Sequence, residues 1–445
     1  MTAPAHWRRN VALFLTGQTV SLFGSMVVQY AVMWWVTLQT RSGLAMALYA
    51  VAAFLPQGLV SIFGGVLADR MNRRVLVMIA DAAIAAATLV LALLMANGVT
   101  DLWIVLLAVA IRSVGAGVQT PAAQAMIPQL VPGEQLMRVN GIFQTIHSAM
   151  ALLAPAAAGA IFAAFGIVPV FFLDVATAVI GIGLLALVTV PTLERVSEAA
   201  TGYWQDLTEG MGYIRRQPIV RWLLLVYAVI FLLTVAPSFV TPLLIARRFG
   251  GEEWMLAVLE IAFSLGMMLG GVLMSTVLAK RGRVGLILFA VYGFGVATVA
   301  LGLSPNIWVF YLFMFAFGLL VPPFSTPFMT LIQETVEPSM HGRVFSYVGI
   351  VMALATPVGM VVFGPLADVV SVPALLIAAG VMAVGVMAIA TRLPSGRAAL
   401  AAARQPSVGE QPSAGVEGSA DADADAEASG EPDAEASGRP TGTAP

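Results

Sequence analysis

Long apolar stretches separated by short polar turns fill the chain from residue 11 to residue 391. A membrane-spanning helix needs about 20 mostly apolar residues, because in lipid the backbone must satisfy its hydrogen bonds within the helix. Twelve stretches meet this requirement, at 11–38, 44–68, 75–97, 102–123, 139–165, 168–191, 219–246, 254–279, 284–303, 306–332, 343–366 and 371–391. The pattern therefore predicts an all-α membrane protein with twelve transmembrane helices.

Composition supports a lipid-embedded chain. Hydrophobic residues make up 59% of the sequence and charged residues 10%, with a mean hydropathy of +0.91. Soluble proteins carry about a quarter charged residues. The first apolar stretch, at 11–38, is too long for the apolar part of a cleaved signal peptide, so we interpret it as the first span. The absence of cysteine excludes disulfides, thiolate metal sites and cysteine nucleophiles.

The second half of the chain repeats short motifs of the first at a nearly constant offset. Gly64-Gly65-Val66-Leu67 returns as Gly270-Gly271-Val272-Leu273, and Thr120-Pro121 returns as Thr326-Pro327, each 206 residues later. Such a repeat predicts two parallel six-helix pseudo-repeats with a binding site between them near mid-membrane. The predicted parts are an N-terminal bundle at 1–191, a linker at 192–218, a C-terminal bundle at 219–391 and a tail at 392–445.

The linker and the tail differ from the spans in composition. In the linker, Tyr203, Trp204, Leu207, Met211 and Ile214 recur at helical spacing, which predicts an amphipathic helix. It lies either on the inner membrane surface or against the protein as an ordinary surface helix. The tail is acidic and has almost no large apolar residues, so we expect it to be disordered and cytoplasmic.

The distribution of basic residues predicts the orientation. If the N-terminus is cytoplasmic, 18 Lys and Arg residues lie on the inner side and three on the outer side. Basic residues concentrate on the cytoplasmic side of membrane proteins. We therefore expect a multi-pass protein of the inner (plasma) membrane with both termini in the cytoplasm.

A charged turn separates the second and third spans. An acid and three arginines are crowded there, together with a glycine and an asparagine. The residues are Gly65, Asp69, Arg70, Asn72, Arg73 and Arg74. The acid can accept hydrogen bonds from an arginine or from a helix N-terminus, and such a contact can latch one conformation and release in another. The alternative is that the turn only anchors the topology.

Four charged residues lie within the spans and are candidates for proton coupling. Glu260 is the first choice because it lies deepest among the acids, while for Asp174 and Asp81 helix capping or ion pairing is the favoured role. Arg112 lies near the bilayer centre, where it either takes part in transport or forms a structural ion pair inside one bundle. His147 is interpreted first as a packing residue.

Uncharged polar residues in the spans predict the lining of a cavity. The substrate-cavity candidates are Gln18, Ser21, Gln29, Arg112 and Gln119. Five tryptophans near the predicted outer ends fit an aromatic belt at the membrane interface; they are Trp34, Trp35, Trp103, Trp254 and Trp308.

The run Gly65-Val-Leu-Ala-Asp69-Arg70-Met-Asn72-Arg73-Arg74 resembles the signature loop of the major facilitator superfamily, with Asn72 where that pattern has glycine. Asparagine tolerates positive φ, so the turn should survive. Gly17-Gln18-Thr19, Leu55-Pro56, Thr120-Pro121, Ala154-Pro155 and Glu260 with Gly266 are similar to the drug–proton antiporter branch that includes macrolide efflux proteins. The resemblance spans about 8–392. It implies the two-bundle fold of that superfamily and export driven by protons.

The sequence also excludes several classes of activity. Lys280, the single lysine, is followed by arginine, so the chain has no P-loop for ATP hydrolysis. No enzyme motif is present, and we expect no cofactor and no metal. The expected partners are the lipid bilayer, a small-molecule substrate and protons, with no nucleic acid, and the protein is expected to be a monomer. Besides drug export, transport of a native metabolite, siderophore or lipid in either direction remains open, as does a non-transporting membrane sensor.

Overall fold

Helices joined by short turns make up the computed structural model, which describes residues 6–190, 203–279, 281–337, 340–394, 396–397 and 401. Within the helices, the side chains of 62–70, 203–207 and 353 are outside this description. All of the described residues belong to one compact unit, Met1–Arg404. Most of the predicted tail, residues 192–202 of the predicted linker and residue 191 before it lie outside the described residues.

The described helices follow the predicted apolar stretches. They are α1 (Trp7–Thr40), α2 (Gly43–Arg70), α3 (Arg73–Ala96), α4 (Leu102–Leu130), α5 (Leu136–Phe165), α6 (Ile167–Ala186), α7 (Tyr203–Arg216), α8 (Pro218–Arg248), α9 (Glu253–Thr276), α10 (Arg283–Leu303), α11 (Ile307–Thr335), α12 (His341–Val369) and α13 (Val372–Arg392). A short 3-10 turn, Gly133–Gln135, precedes α5. Among the described helices, all but α7 are long and apolar enough to span a membrane, which gives twelve candidate spans. The predicted fold class is confirmed.

Local sequence explains where several helices begin and end. Asn72 begins α3 as its N-cap, because its side chain accepts hydrogen bonds from the backbone N–H groups of Arg74 and Val75. Gly166 separates α5 from α6 with a φ of 77°, a conformation that glycine adopts without steric cost. The predicted end of the fourth span at residue 123 is too early, since α4 accommodates Pro121 and Pro128 and continues to Leu130.

Helix packing repeats between the two halves. In the N-terminal half α2 packs on α4, and α3 packs on α4 and α6; in the C-terminal half α9 packs on α11, and α10 packs on α11 and α13. The contacts between the halves follow the same symmetry, because α2 packs on α12 and α5 packs on α9. The repeat detected in the sequence therefore corresponds to two six-helix bundles with equivalent internal packing.

We call the end where α1 begins and α13 ends the terminal end, and the other the opposite end. Towards the opposite end, residues of both halves form one hydrophobic cluster, which includes Trp34, Leu244 and Phe310. Towards the terminal end, the buried apolar residues form one cluster in each half, with Phe14 in one and Phe328 in the other. In the part of the chain that the structure describes, the halves are thus joined at the opposite end and apart at the terminal end.

Two of the five tryptophans assigned to an aromatic belt are placed differently by the structure. Trp34 is 0% exposed and Trp35 is 8% exposed, and both belong to the cluster that joins the halves. Trp103 and Trp308 are 65% and 68% exposed, as belt residues should be. The belt assignment was therefore wrong for Trp34 and Trp35, because position along a helix does not reveal which face contacts another helix.

The linker helix α7 is docked on the C-terminal half. Ile214 is buried in the terminal-end cluster of that half, and Gly210 lies against Arg343 and Tyr347 of α12. Glu209 pairs with Arg343 at 2.9 Å. Of the two interpretations offered by the sequence, packing against the protein is the one for which the structure shows contacts.

Candidate functional site

Asp368, near the end of α12, closes the opposite end by binding the first turn of α2. Its carboxylate accepts hydrogen bonds from the backbone N–H groups of Gly43 at 2.7 Å and Leu44 at 2.9 Å, and from the Ser42 hydroxyl at 2.9 Å. Arg247 of α8 pairs with the same carboxylate at 2.6 Å. The first N–H groups of a helix lack intrahelical partners, so a carboxylate is stabilised there. We call this contact between the halves the clasp.

Arg112 of α4 and Asp174 of α6 form an ion pair inside the N-terminal half. Their side chains are 12% and 1% exposed. The Asp174 carboxylate also accepts hydrogen bonds from the Thr88 hydroxyl at 2.9 Å and the Ser25 hydroxyl at 3.1 Å. The second guanidinium nitrogen of Arg112 donates to the Ser25 carbonyl at 3.4 Å. Asp174 thus forms an ion pair, which was one of its two favoured roles. Its partner is Arg112, for which a structural ion pair inside one bundle was one of the two roles offered by the sequence.

A cavity lies between the two halves, next to the joined opposite end. We call it the interface cavity; its volume is about 220 Å³. It is lined by Met26, Gln29, Tyr30, Met33, Tyr49, Phe54, Ser238, Phe239, Glu260, Phe263 and Met314. Glu260 has no hydrogen bond or ion pair with any other described residue. The cavity thus combines one carboxyl group with aromatic and methionine side chains, which adapt to ligands of varied shape.

A second cavity lies inside the N-terminal half. We call it the polar cavity; its volume is about 300 Å³. It is lined mainly by polar side chains, namely Gln18, Thr19, Ser21, Ser25, Gln29, Gln57, Asp81, Gln119, Thr120 and His147, together with Leu15, Leu22, Met26, Ile84, Ala116, Ala123, Phe143 and Ile146. The amide of Gln119 donates to the Gln18 side-chain oxygen at 2.9 Å. Ten hydrogen-bonding side chains thus line the polar cavity, against five in the interface cavity.

Gln29 connects the cavities. It lines the interface cavity, the polar cavity and a smaller cavity of about 100 Å³ beside Arg112. Met26 is shared by the two larger cavities, and the Tyr49 hydroxyl donates to the Gln29 carbonyl at 2.8 Å. The shared lining residues place the three cavities next to one another around one turn of α1.

The structure brings the predicted cavity residues together. Gln18, Ser21, Gln29 and Gln119 line the polar cavity, and Arg112 lines the small cavity beside it. They come from two helices, α1 and α4, that are far apart in sequence. Sequence reasoning could select them because an uncharged polar side chain in a span avoids lipid.

Asp81 departs from its favoured role. It neither caps a helix nor forms an ion pair, and its Oδ2 atom has no hydrogen-bond partner in the described structure. The residue is 4% exposed and lines the polar cavity. His147, interpreted as a packing residue, stacks edge-on against Phe143 with ring centroids 4.7 Å apart, and it lines the same cavity.

The charged turn between α2 and α3 is described in part. Arg73 donates to the Ala125 carbonyl at 2.8 Å, and Arg74 donates to the Val188 carbonyl at 2.8 Å, so both tie the start of α3 to the ends of other helices of the same half. Asn72 has a φ of −65°, so the turn does not use the positive φ that asparagine tolerates; Asn72 acts as an N-cap instead. The side chains of Gly65, Asp69 and Arg70 lie outside the described residues.

Several residues of the cavities and of the clasp escaped the sequence analysis. Tyr30 and Tyr49 line the cavities but carry no signal among many apolar and aromatic neighbours. Gln57 also lines two of the cavities, and the criterion that selected Gln18 could have found it, since it is an uncharged polar residue in a span. Asp368 and Arg247 sit at helix ends, where charged residues are common in any membrane protein. Among the described residues, no three His, Asp or Glu side chains converge to hold a metal.

Comparison with known proteins decides the family. The family model of the Major Facilitator Superfamily matches residues 14–360 and 253–414. The chain belongs to the Major Facilitator Superfamily. Members of this superfamily are transporters and not enzymes, so the chain is a multi-pass membrane transporter.

Relatives within the Major Facilitator Superfamily include named efflux proteins. Macrolide efflux protein A of Streptococcus pyogenes is 31% identical over 370 residues, which cover 82% of this chain and 91% of the relative. Macrolide efflux protein A of Enterococcus faecalis is 32% identical over 322 residues, which cover 72% of this chain and all of the relative. The resemblance to macrolide efflux proteins seen in the sequence is confirmed.

A solved structure shares the fold at lower sequence identity. A D-xylose-proton symporter superposes with a TM-score of 0.65 at 15% identity, covering 87% of this chain and 98% of the symporter. At this identity the likeness shows the fold alone. The Major Facilitator Superfamily fold, with two six-helix pseudo-repeats, is therefore confirmed for this chain.

The N-cap at Asn72 predicts a difference in stability between two variants of this residue. Asn72→Ala removes the acceptor for two N–H groups of α3 and should lower the free energy of unfolding by about 1 kcal/mol, whereas Asn72→Gly should lower it by a few tenths. Thermal unfolding of the two purified variants, followed by circular dichroism, measures the difference. Equal melting temperatures for both variants would contradict the capping role.

Proposed function

We propose that this transporter exports a lipophilic or amphipathic small molecule, macrolide-like in character, in exchange for protons by alternating access. The observation that carries the proposal is the interface cavity, which both halves line and which holds Glu260 among aromatic and methionine side chains. A site shared by two symmetric bundles changes its access when the bundles rock against each other. The relatives named as macrolide efflux proteins support the same substrate class.

The proposed orientation places the terminal end in the cytoplasm of a cell whose inner (plasma) membrane holds the protein as a monomer. The excess of basic residues on the loops of the terminal end supports this orientation. The structure, joined at the opposite end, then corresponds to an inward-facing state that takes substrate from the cytoplasm or from the inner lipid leaflet. Rocking of the bundles would release the substrate on the outside.

Glu260 is the proposed coupling residue. A carboxyl group in a mostly apolar cavity is costly to ionise, so it binds a proton readily when water reaches it from one side. Proton binding and substrate binding in the same cavity then exclude each other, which couples the two fluxes. Arg112, Asp174 and Asp81 lie close by in the N-terminal half and complete the set of charged groups proposed to take part.

The turn that holds Asp69 is the proposed latch for the outward-facing state. It lies at the end of α2 on the terminal end, where the two halves are apart in this structure. When the terminal end closes, Asp69 would accept hydrogen bonds from the approaching C-terminal half, in the way that Asp368 binds α2 at the opposite end. Clasp and latch would then hold alternate states.

Transport by purified protein tests this proposal. In proteoliposomes with an imposed proton gradient, the wild-type protein should accumulate a radiolabelled macrolide. Glu260→Gln should lose gradient-driven accumulation and its pH dependence, because glutamine keeps the shape but binds no proton. The variant should still exchange labelled for unlabelled substrate without a gradient.

A matched control and two contrary outcomes complete the test. Glu253→Gln removes an acid from the first turn of the same helix, outside the interface cavity, and should transport like the wild-type protein. Full gradient-driven accumulation by Glu260→Gln would exclude Glu260 as the coupling residue. No flux of any macrolide by the wild-type protein would direct the search to a native metabolite, siderophore or lipid.

A further inference from the structure

The polar cavity contains an acid, Asp81, that forms no ion pair with any described residue. Asp81 is 4% exposed, and its Oδ2 atom has no hydrogen-bond partner. Two basic side chains line the three cavities. The charge of Arg112 is already matched by Asp174, and His147 packs edge-on against Phe143 and forms no ion pair with Asp81 among the described residues. An isolated carboxylate away from bulk water is unfavourable by several kcal/mol, so Asp81 takes either a proton or a cationic ligand.

The neighbours of Asp81 indicate which kind of ligand fits. The cavity presents four glutamine side chains and several hydroxyl groups, which donate and accept hydrogen bonds without carrying charge. A metal ion would need several convergent oxygen or nitrogen ligands of the kind found in protein metal sites, and no such group of His, Asp and Glu side chains is present in the described structure. A ligand with an ammonium group and neighbouring hydroxyl groups fits better. Its ammonium group would pair with the Asp81 carboxylate, and its hydroxyls would form hydrogen bonds with the neutral polar side chains.

The two larger cavities differ in a way that matches an amphipathic molecule. The polar cavity, at about 300 Å³, has the volume of a small-molecule site. The interface cavity offers phenylalanine and methionine side chains to an apolar body. Because Gln29 and Met26 line both, one molecule can reach from one cavity into the other.

We propose that the polar cavity is a subsite for a protonated amine on a hydroxylated part of the substrate, with Asp81 as its counter-ion. The apolar part of the same molecule lies in the interface cavity. This assignment rests on the proposed function and divides the two acids: Asp81 pairs with the amine, and Glu260, in apolar surroundings, carries the coupling proton. The glutamine amides and hydroxyls of α1 and α4 would replace the hydrogen bonds to water that the substrate loses on binding.

Binding of two probes to purified protein in lipid nanodiscs tests the subsite. The first probe is a macrolide that carries a dimethylamino sugar. The second is the N-acetyl derivative of its N-demethylated form, which keeps the sugar hydroxyls but has no positive charge. The wild-type protein should bind the amine about 10- to 100-fold more tightly, the usual effect of one charge-assisted hydrogen bond.

Two variants show whether the preference for the amine probe depends on Asp81 or on Glu260. Asp81→Asn should weaken binding of the amine to the level of the acetylated probe, and it should leave binding of the acetylated probe unchanged, which also shows that the variant is folded. Glu260→Gln is the matched comparison and should keep the preference for the amine. The fold change in Kd for each probe is the readout.

The contrary outcomes separate this subsite from the proposed function. Equal affinity of the wild-type protein for the two probes overturns the subsite and leaves macrolide export standing. Loss of the amine preference in Glu260→Gln but not in Asp81→Asn also overturns it, because the amine would then pair with Glu260. Binding of neither probe by the wild-type protein contradicts both proposals. If Asp81→Asn does not fold, the two probes on the wild-type protein and on Glu260→Gln still decide, because a preference that Glu260→Gln loses would overturn the subsite.

Discussion

Replacing Asp174 by alanine should lower the free energy of unfolding by about 3–5 kcal/mol, because it leaves the Arg112 guanidinium buried without a counter-ion. Asp174 is 1% exposed and accepts hydrogen bonds from Thr88, Ser25 and Arg112. The melting temperature of the purified protein in detergent measures the loss. Asp101→Ala, at an exposed turn before α4 with no side-chain cap hydrogen bond, is the control and should change little.

A double variant separates the structural role of this ion pair from a role in transport. Arg112→Met with Asp174→Leu replaces both charges by apolar side chains, and such replacements are often close to neutral for stability. The double variant should therefore melt nearer to the wild-type protein than Asp174→Ala does. If it is stable but no longer transports, the ion pair takes part in transport; if it transports normally, the pair is structural only. A double variant less stable than Asp174→Ala would contradict the ion-pair argument.

Gly364→Ala should prevent closure of the opposite end and abolish transport. Gly364 of α12 faces Gly43 and Ala47 of α2 so closely that an added Cβ would overlap the Ala47 methyl and the Gly43 carbonyl oxygen. Overpacking of this kind costs about 1–3 kcal/mol. Because α2 and α12 must meet at this point for the clasp at Asp368 to form, the cost falls on the state that is closed at the opposite end. The equilibrium then shifts to states in which the helices are apart.

Distance measurements by electron paramagnetic resonance test the effect of Gly364→Ala. The chain has no cysteine, so spin labels can be attached at Trp103→Cys and Trp308→Cys, two exposed positions near the opposite end in different halves. The mean distance between the labels should increase in Gly364→Ala. Gly349→Ala, on the same helix but facing open space, should leave both distance and transport unchanged. An unchanged distance in Gly364→Ala would show that the helices absorb the methyl group without separating.

The clasp and the charged turn between α2 and α3 use similar chemistry at opposite ends of α2. At the opposite end, the carboxylate of Asp368 binds backbone N–H groups of a helix in the other half, and Arg247 supports it. At the terminal end, Arg73 and Arg74 bind carbonyl groups within their own half. In this state Arg73 and Arg74 therefore stiffen one bundle.

The sequence by itself determined the number of spans, their approximate ends, the repeat and several of the polar residues that line the cavities. Each of these follows from a local requirement. A stretch in lipid must satisfy its own backbone hydrogen bonds, and an uncharged polar side chain such as Gln18 or Gln119 must turn away from lipid. These requirements hold whatever the neighbouring helices are, so they can be read from one segment at a time.

Only the tertiary structure decided which residues meet. Arg112 and Asp174 are 62 residues apart, and nothing in either segment selects the other as its partner. Trp34 joins the halves, while Trp103 faces outward, because rotation of each helix about its axis is set by packing and not by its hydrophobicity, which is nearly the same on all sides. For the same reason the sequence could not predict the clasp at Asp368 or the position of Asp81 in the polar cavity. Both depend on the relative positions of helices that are distant in sequence.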